Sequence, residues 1–217
     1  MAGNVGPRIN GFKPVRYLNG APWTGKARMY VHSASDATAL HIGDFVIQEA
    51  NSQDGFGSVT RSTSGSSTIL VGAVVGIDWV HPGGASLQGT NLPLESVYVP
   101  ASTLAYVWVA DDPNIIFEGE FDALGDQPNQ TDVGLNYEFL LTAGNTTTGA
   151  SGMTIDSSTE ATTATLPLKL LGLARKAGID IVDDATDANS LYKRGWVMIN
   201  THAYGRVVAA SAGVLGV

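Results

Sequence analysis

Gly, Pro and clusters of Ser, Thr, Asn and Asp interrupt this chain so often that helix is nearly excluded. Only Ser35–Leu40 and Ile179–Ser190 have room for a helical turn or two. Between the interruptions stand short runs rich in β-branched and aromatic residues: Arg28–His32, Phe45–Gln48, Ser58–Arg61, Ile69–Trp79, Ser96–Pro100, Thr103–Ala110, Ile115–Phe121, Leu135–Thr142, Leu166–Leu173 and Gly195–Thr201. Pro167 is expected at a strand start or a sheet edge, because it cannot donate to a ladder. Runs spaced this way predict a mainly β fold, a β-sandwich or β-barrel with long loops. A body of residues 31–217 forms a single domain or two packed β modules, with Phe45, Val46, Leu70, Val74, Val107, Val109, Ile116, Phe139, Leu170 and Val197 in the core.

The first thirty residues read differently. Pro7, Pro14 and Pro22 break any helix, five glycines keep the chain supple, and yet Phe12, Val15, Tyr17, Leu18 and Trp23 are too apolar for a solvated tail. The expectation is an extended N-terminal arm over residues 1–30 that leaves the body and packs on a neighbour. Its contact residues would be Arg8, Phe12, Lys13, Arg16, Tyr17, Trp23, Lys26 and Arg28.

Charge is distributed unevenly. The net charge is −8, but five cations precede the first acid, Asp36, and residues 62–168 hold twelve acids and no Lys or Arg. Acids in the middle can therefore pair only with the two ends of the chain or with another molecule. A negative middle repels phosphates, so nucleic acid is not an expected partner; no membrane partner is expected either. The opening residues lack the apolar core of a secretory signal, and the run Ile69–Ile77 is too short to cross a bilayer as a helix. With no Cys, there are no disulfides and no thiolate metal sites or nucleophiles.

Motifs for chemistry are thin. Gly20–Ala27 (GAPWTGKA) approaches a phosphate-binding loop, but Ala27 stands where a hydroxyl should bind Mg²⁺, and a strand-like run follows. His32, His41, His81 and His202 show no metal-ligand spacing, and the acid cluster Asp180, Asp183, Asp184, Asp187 lacks the pattern of a calcium loop. Asp111-Asp112-Pro113 should turn the chain at a strand end. Glu118, Glu120 and Asp122 fall on one strand face, read as the solvent side in preference to a glycosidase pair. Ser190–Lys193 matches S-x-x-K without its companion motifs. No catalytic residue, cofactor or metal is assigned.

Several strings resemble a known group: NGFKPVRYLNG near the start, SDATALHIGD at 35–44, LVGAVVGI, YVWVADDPNIIFEGE and SGMTIDSSTEATTATLPLKLLGL. They are similar to small structural proteins of tailed bacteriophages, read here as capsid decoration (cement) proteins. The resemblance implies a non-enzymatic β-rich virion protein, made in the host bacterial cytoplasm. It would bind the outside of the major capsid protein shell and bridge capsomers as a homo-oligomer, a trimer in preference to a dimer. Another virion part (tail, fibre or head-completion protein) and a carbohydrate-binding or hydrolytic β-sandwich are the competing readings.

Overall fold

The computed structural model describes residues 10–53, 55–81, 97–122, 128–174 and 193–205. The protein is mainly β: the described residues hold twelve strands and one 3-10 turn, Gln130–Asp132. In chain order the strands are β1 Lys13–Tyr17, β2 Arg28–His32, β3 Phe45–Gln53, β4 Phe56–Arg61, β5 Gly72–His81, β6 Leu104–Ala110, β7 Ile115–Glu120, β8 Asn136–Tyr137, β9 Phe139–Leu140, β10 Thr154–Ile155, β11 Leu168–Leu173 and β12 Arg194–Ile199.

Strands β2 to β6 close into a barrel in the ring order β2-β4-β3-β5-β6, antiparallel except where β2 meets β4. The other strands make a five-stranded antiparallel sheet, β1-β7-β12-β11-β8, with the small pair β9–β10 beside it. Strands β1 and β7 bracket the barrel in sequence and pair with each other, Tyr17 opposite Ile115 and Lys13 opposite Glu118. The barrel is thus a long excursion from one edge of the sheet.

Strand alternation explains how the two parts share a core. Val46, Val71, Val74 and Val109 point into the barrel with Tyr30, Leu40, Val59, Val99, Ala105 and Val107. Their chain neighbours Phe45, Leu70, Ala73 and Ala110 point the other way and pack on Ile115, Phe117, Phe139, Leu170 and Val197 of the sheet side. Strands buried on both faces read as continuous apolar runs, which is why LVGAVVGI shows no alternation. Phe45 is the hub: its ring stacks on Phe12 (4.1 Å) and meets Phe117 and Phe139 edge-on at 5.5 and 5.8 Å. All ten core residues expected from sequence are buried, the most exposed being Ile116 at 5%.

The N-terminal arm needs correction. Residues 10–30 do not stand off the body; Phe12 is 1% exposed within the shared core and β1 is a strand of the large sheet. Pro14 is accommodated because β1 lies at the sheet edge and shifts register between Pro14 and Arg16. That edge is then covered by the chain itself. The Trp23 N–H donates to the Val15 carbonyl (3.2 Å) and the Tyr17 N–H to that of Ala21 (2.8 Å). The tight approach near Phe12 uses two glycines in left-handed backbone, Gly11 (φ 61°) and Gly43 (φ 95°), and the Phe12 N–H donates to the Gly43 carbonyl at 2.9 Å. Arg8 lies outside the described residues.

Two smaller expectations change. Residues 97–100 form an isolated bridge, Leu40 opposite Val99, instead of a strand. The face bearing Glu118, Glu120 and Asp122 is not solvated: these acids are 8%, 4% and 8% exposed. The first two are gripped by Arg194 on the neighbouring β12, with Nη1 to Glu118 Oε1 at 3.0 Å and Nη2 to Glu120 Oε2 at 3.2 Å. Pro167 directly precedes β11, as its missing N–H requires.

Candidate functional site

The segment between β1 and β2 projects from the sheet edge in a fixed shape. Gly20, at φ 87°, turns the chain so that its N–H donates to the Tyr17 carbonyl (2.9 Å), and the Ala21 N–H donates to Asn19 Oδ1 (3.0 Å). The Leu18 N–H reaches the Asn114 carbonyl at 2.8 Å, tying the turn to the loop before β7. Half-buried Trp23 packs on the core and donates its indole N–H to the Lys26 carbonyl at 3.1 Å. Leu18, at the tip, is left 53% exposed.

Between this projection and the β6–β7 loop lies a hollow of about 670 Å³, lined by Lys26, Arg28, Asp111, Asp112, Asn114 and Tyr204 among others. Smaller hollows adjoin it along Tyr17, Asn19 and Pro22. Register explains the wall: Arg28 starts β2 opposite Val109 on β6, which brings it beside Asp111 as the chain leaves the barrel. Asp111 Oδ2 accepts from Arg28 Nε (3.3 Å) and from the Tyr30 hydroxyl (2.7 Å). A carboxylate only accepts, so the Tyr30 proton points to Asp111 and the Tyr204 hydroxyl donates to Tyr30 at 3.1 Å. The Arg28 guanidinium also lies 5.5 Å from the centre of the Tyr204 ring. Asp111 raises the Arg28 pKa above its ordinary value, while burial, reinforced by the bonds to Tyr204 and Asp111, raises that of Tyr30.

Behind this wall sits His202, 3% exposed, whose Nδ1 accepts the Tyr204 N–H at 3.0 Å. Burial lowers its pKa to about 4, against a weaker opposing pull from Asp111 and Asp112. With Nδ1 engaged, the neutral ring has no lone pair to offer a substrate, so His202 acts here as a strut. The sign of its effect on stability follows. The unfolded chain takes up a proton near pH 6.5 that the folded protein refuses until about pH 4. The contribution of His202 to stability is therefore constant above pH 7, falls as the pH drops through that window, and levels off below it, by about 3 kcal/mol in all. Urea unfolding at pH 7.0 and 4.5 checks this. His202→Asn keeps an acceptor for Tyr204, and its loss of stability between the two pH values should be smaller than that of the native chain.

The seven expected contact residues that lie among the described residues are thus dispersed. Tyr17, Lys26 and Arg28 come together at the hollows, and Lys13 is exposed on the sheet edge. The Arg16 guanidinium stacks over Trp196 at 4.2 Å, Trp23 is an anchor, and Phe12 has no ring surface left for a neighbour. Lys26 leads into strand β2 instead of a helix, which removes the context a phosphate-binding loop requires. Among the described residues no group of three or more His, Asp or Glu is arranged to hold a metal ion. The Asp180 cluster and Ser190 lie outside the described residues.

Sequence reasoning missed Tyr30, Asp111, His202 and Tyr204 as a unit, because they come from three distant parts of the chain. The one signal pointing there was electrostatic: acids of a cation-free middle must find partners at the ends, as Asp111 does with Arg28. Comparison with known proteins identifies no relative: no family model matches the chain, and no curated protein or solved structure shows a significant match.

Proposed function

We propose that this chain is a structural protein of a tailed-bacteriophage particle, a decoration (cement) protein that binds the outer surface of the major capsid shell and bridges neighbouring capsomers. It acts as a homo-oligomer, a trimer in preference to a dimer. The observation that supports this reading best is the projection between β1 and β2. It offers an exposed Leu18 and the exposed cation Lys26 on a backbone held by six hydrogen bonds, one of them from the half-buried indole of Trp23. A docking element held in its bound shape loses little entropy on binding. The resemblance of the sequence strings to phage structural proteins points the same way.

Surface ion pairs contribute only about 0–1 kcal/mol each, so Leu18 and the flank of Tyr17 must supply most of the attachment energy. Lys13 and Lys26 would act mainly on the rate of encounter. The test uses undecorated heads of the phage that encodes the chain. Leu18→Asp should reduce attachment at least about ten-fold, whereas the double variant K13E/K26E should slow association and remove its salt dependence without speeding release. Undiminished attachment of Leu18→Asp, or a particle map with the copies on the tail, would overturn the proposal.

A further inference from the structure

The outer face of the barrel carries a second feature, one register pair along β2 and β6 from Arg28. Tyr106 and Trp108 alternate outward along β6; Trp108 is 38% exposed and Tyr106 half-buried. Phe56 meets the Tyr106 ring edge-on at 6.1 Å, and both pack with Val31 and Leu104, so the Tyr106 ring is held in place. Strand β2 supplies Met29 opposite Trp108 on one side. On the other side β5 supplies Gly76 opposite Trp108.

Gly76 has no conformational reason to be glycine, since its φ lies outside the left-handed region. Space does not require it either. A Cβ there would find only the Trp108 side chain, at an ordinary 3.7 Å. What the missing side chain does is leave one flank of the indole bare, in a strand where glycine otherwise costs stability. Two β-bulges of β5, between Val74 and Gly76 and between Ile77 and Trp79, bracket this spot. The second leaves exposed Asp78 unpaired, between the register pairs of Val107 and Tyr106 and two residues along β5 from Gly76. Bulges of this kind re-aim side chains next to binding sites.

We infer that this face binds carbohydrate: a β-linked pyranoside chain with equatorial substituents, whose flat C–H face stacks on Trp108 while its edge hydroxyls donate to Asp78. Three observations select that occupant. The exposed part of Trp108, 38% of the residue, is on the order of 100 Å², the scale of one sugar ring and far below the roughly 800 Å² per partner of a stable protein interface. Asp78 and the net charge of −8 repel the phosphates that a stacked nucleobase would bring. An exposed carboxylate on β5, two residues from the glycine opposite the indole, suits a ligand that is apolar on its face and hydroxylated on its edge.

The test is titration of the full chain with cellohexaose and chitohexaose, followed by tryptophan emission and by the indole N–H resonance of Trp108. Saturable binding to at least one is expected below roughly 10 mM, weakened at least about five-fold in Trp108→Ala and several-fold in Asp78→Asn. Gly76→Val gives the sharper readout. It should cover the indole and abolish binding while leaving the melting temperature equal or higher, so lost binding cannot be ascribed to a damaged fold. No binding to either sugar, or binding unchanged in Gly76→Val, would overturn the inference. So would a Trp108→Ala chain whose only change is in self-association, which would assign the face to a second copy.

Discussion

A chain lacking residues 2–26 should fail to fold. The deletion removes β1 and exposes the edge of β7, the strand that carries Phe117 into the core. It also removes Phe12, whose ring stacks on Phe45 and fills the space above Gly119, where a Cβ would overlap it. Phe12→Ala alone is expected to cost about 3–5 kcal/mol, since a cavity would open at the junction of barrel and sheet. Domains of this size have about 5–15 kcal/mol in total, so losing the strand as well exceeds what the remainder can supply. Far-UV circular dichroism and urea unfolding of the two variants test this. A cooperatively folded chain without residues 2–26 would show that the segment is an appendage after all. Gly119→Ala should approach the damage of Phe12→Ala from the opposite direction, by overpacking.

The second large effect is expected at Arg194. Its guanidinium spans Glu118 and Glu120 across the β7–β12 ladder, and the three side chains are only 13%, 9% and 5% exposed. Arg194→Met keeps the apolar stem but leaves two carboxylates buried without that cation, a change of about 3–5 kcal/mol. The loss comes from the stranded charges and not from any large net gain in the intact cluster. Adding E118Q/E120Q to Arg194→Met should therefore restore at least half of it, as urea unfolding at pH 7 would measure. If the triple variant is no more stable than Arg194→Met, the carboxylates are not the source of the loss.

The barrel strands were legible in the chain because burial on one or two faces writes itself as β-branched runs between turn residues. Even Pro167 could be placed against β11. The electrostatic argument also survived contact with the structure: acids from the cation-free middle meet Arg28 from one end and Arg194 from the other. Strand β1 was not legible. KPVRY contains a proline and sits among glycines, which locally spell an extended arm, and only pairing with a strand far along the chain makes it a sheet edge. The same long range hid the Arg28–Tyr30–Asp111–Tyr204 wall, whose members share no spacing. The acid face was misread because alternation marks which side chains share a face, but not whether an arginine from a distant strand will close over it.

Because Tyr17 pairs with Ile115, the first strand of the sheet leaves the ribosome before any residue of the barrel, and its partner only after all of them. Through that interval Phe12 and the edge of β1 have nothing of the sheet to rest on, while the barrel already has the strands for its own valine-lined interior. The barrel is thus placed to close first and, by closing, to bring the two flanking strands together, shortening the loop the sheet must otherwise close. The last partner of β7 to be made is β12, so Glu118 and Glu120 await Arg194 until that strand has been synthesised. Order of assembly is in this sense written into the connectivity, with the middle of the chain folding before its two ends can meet.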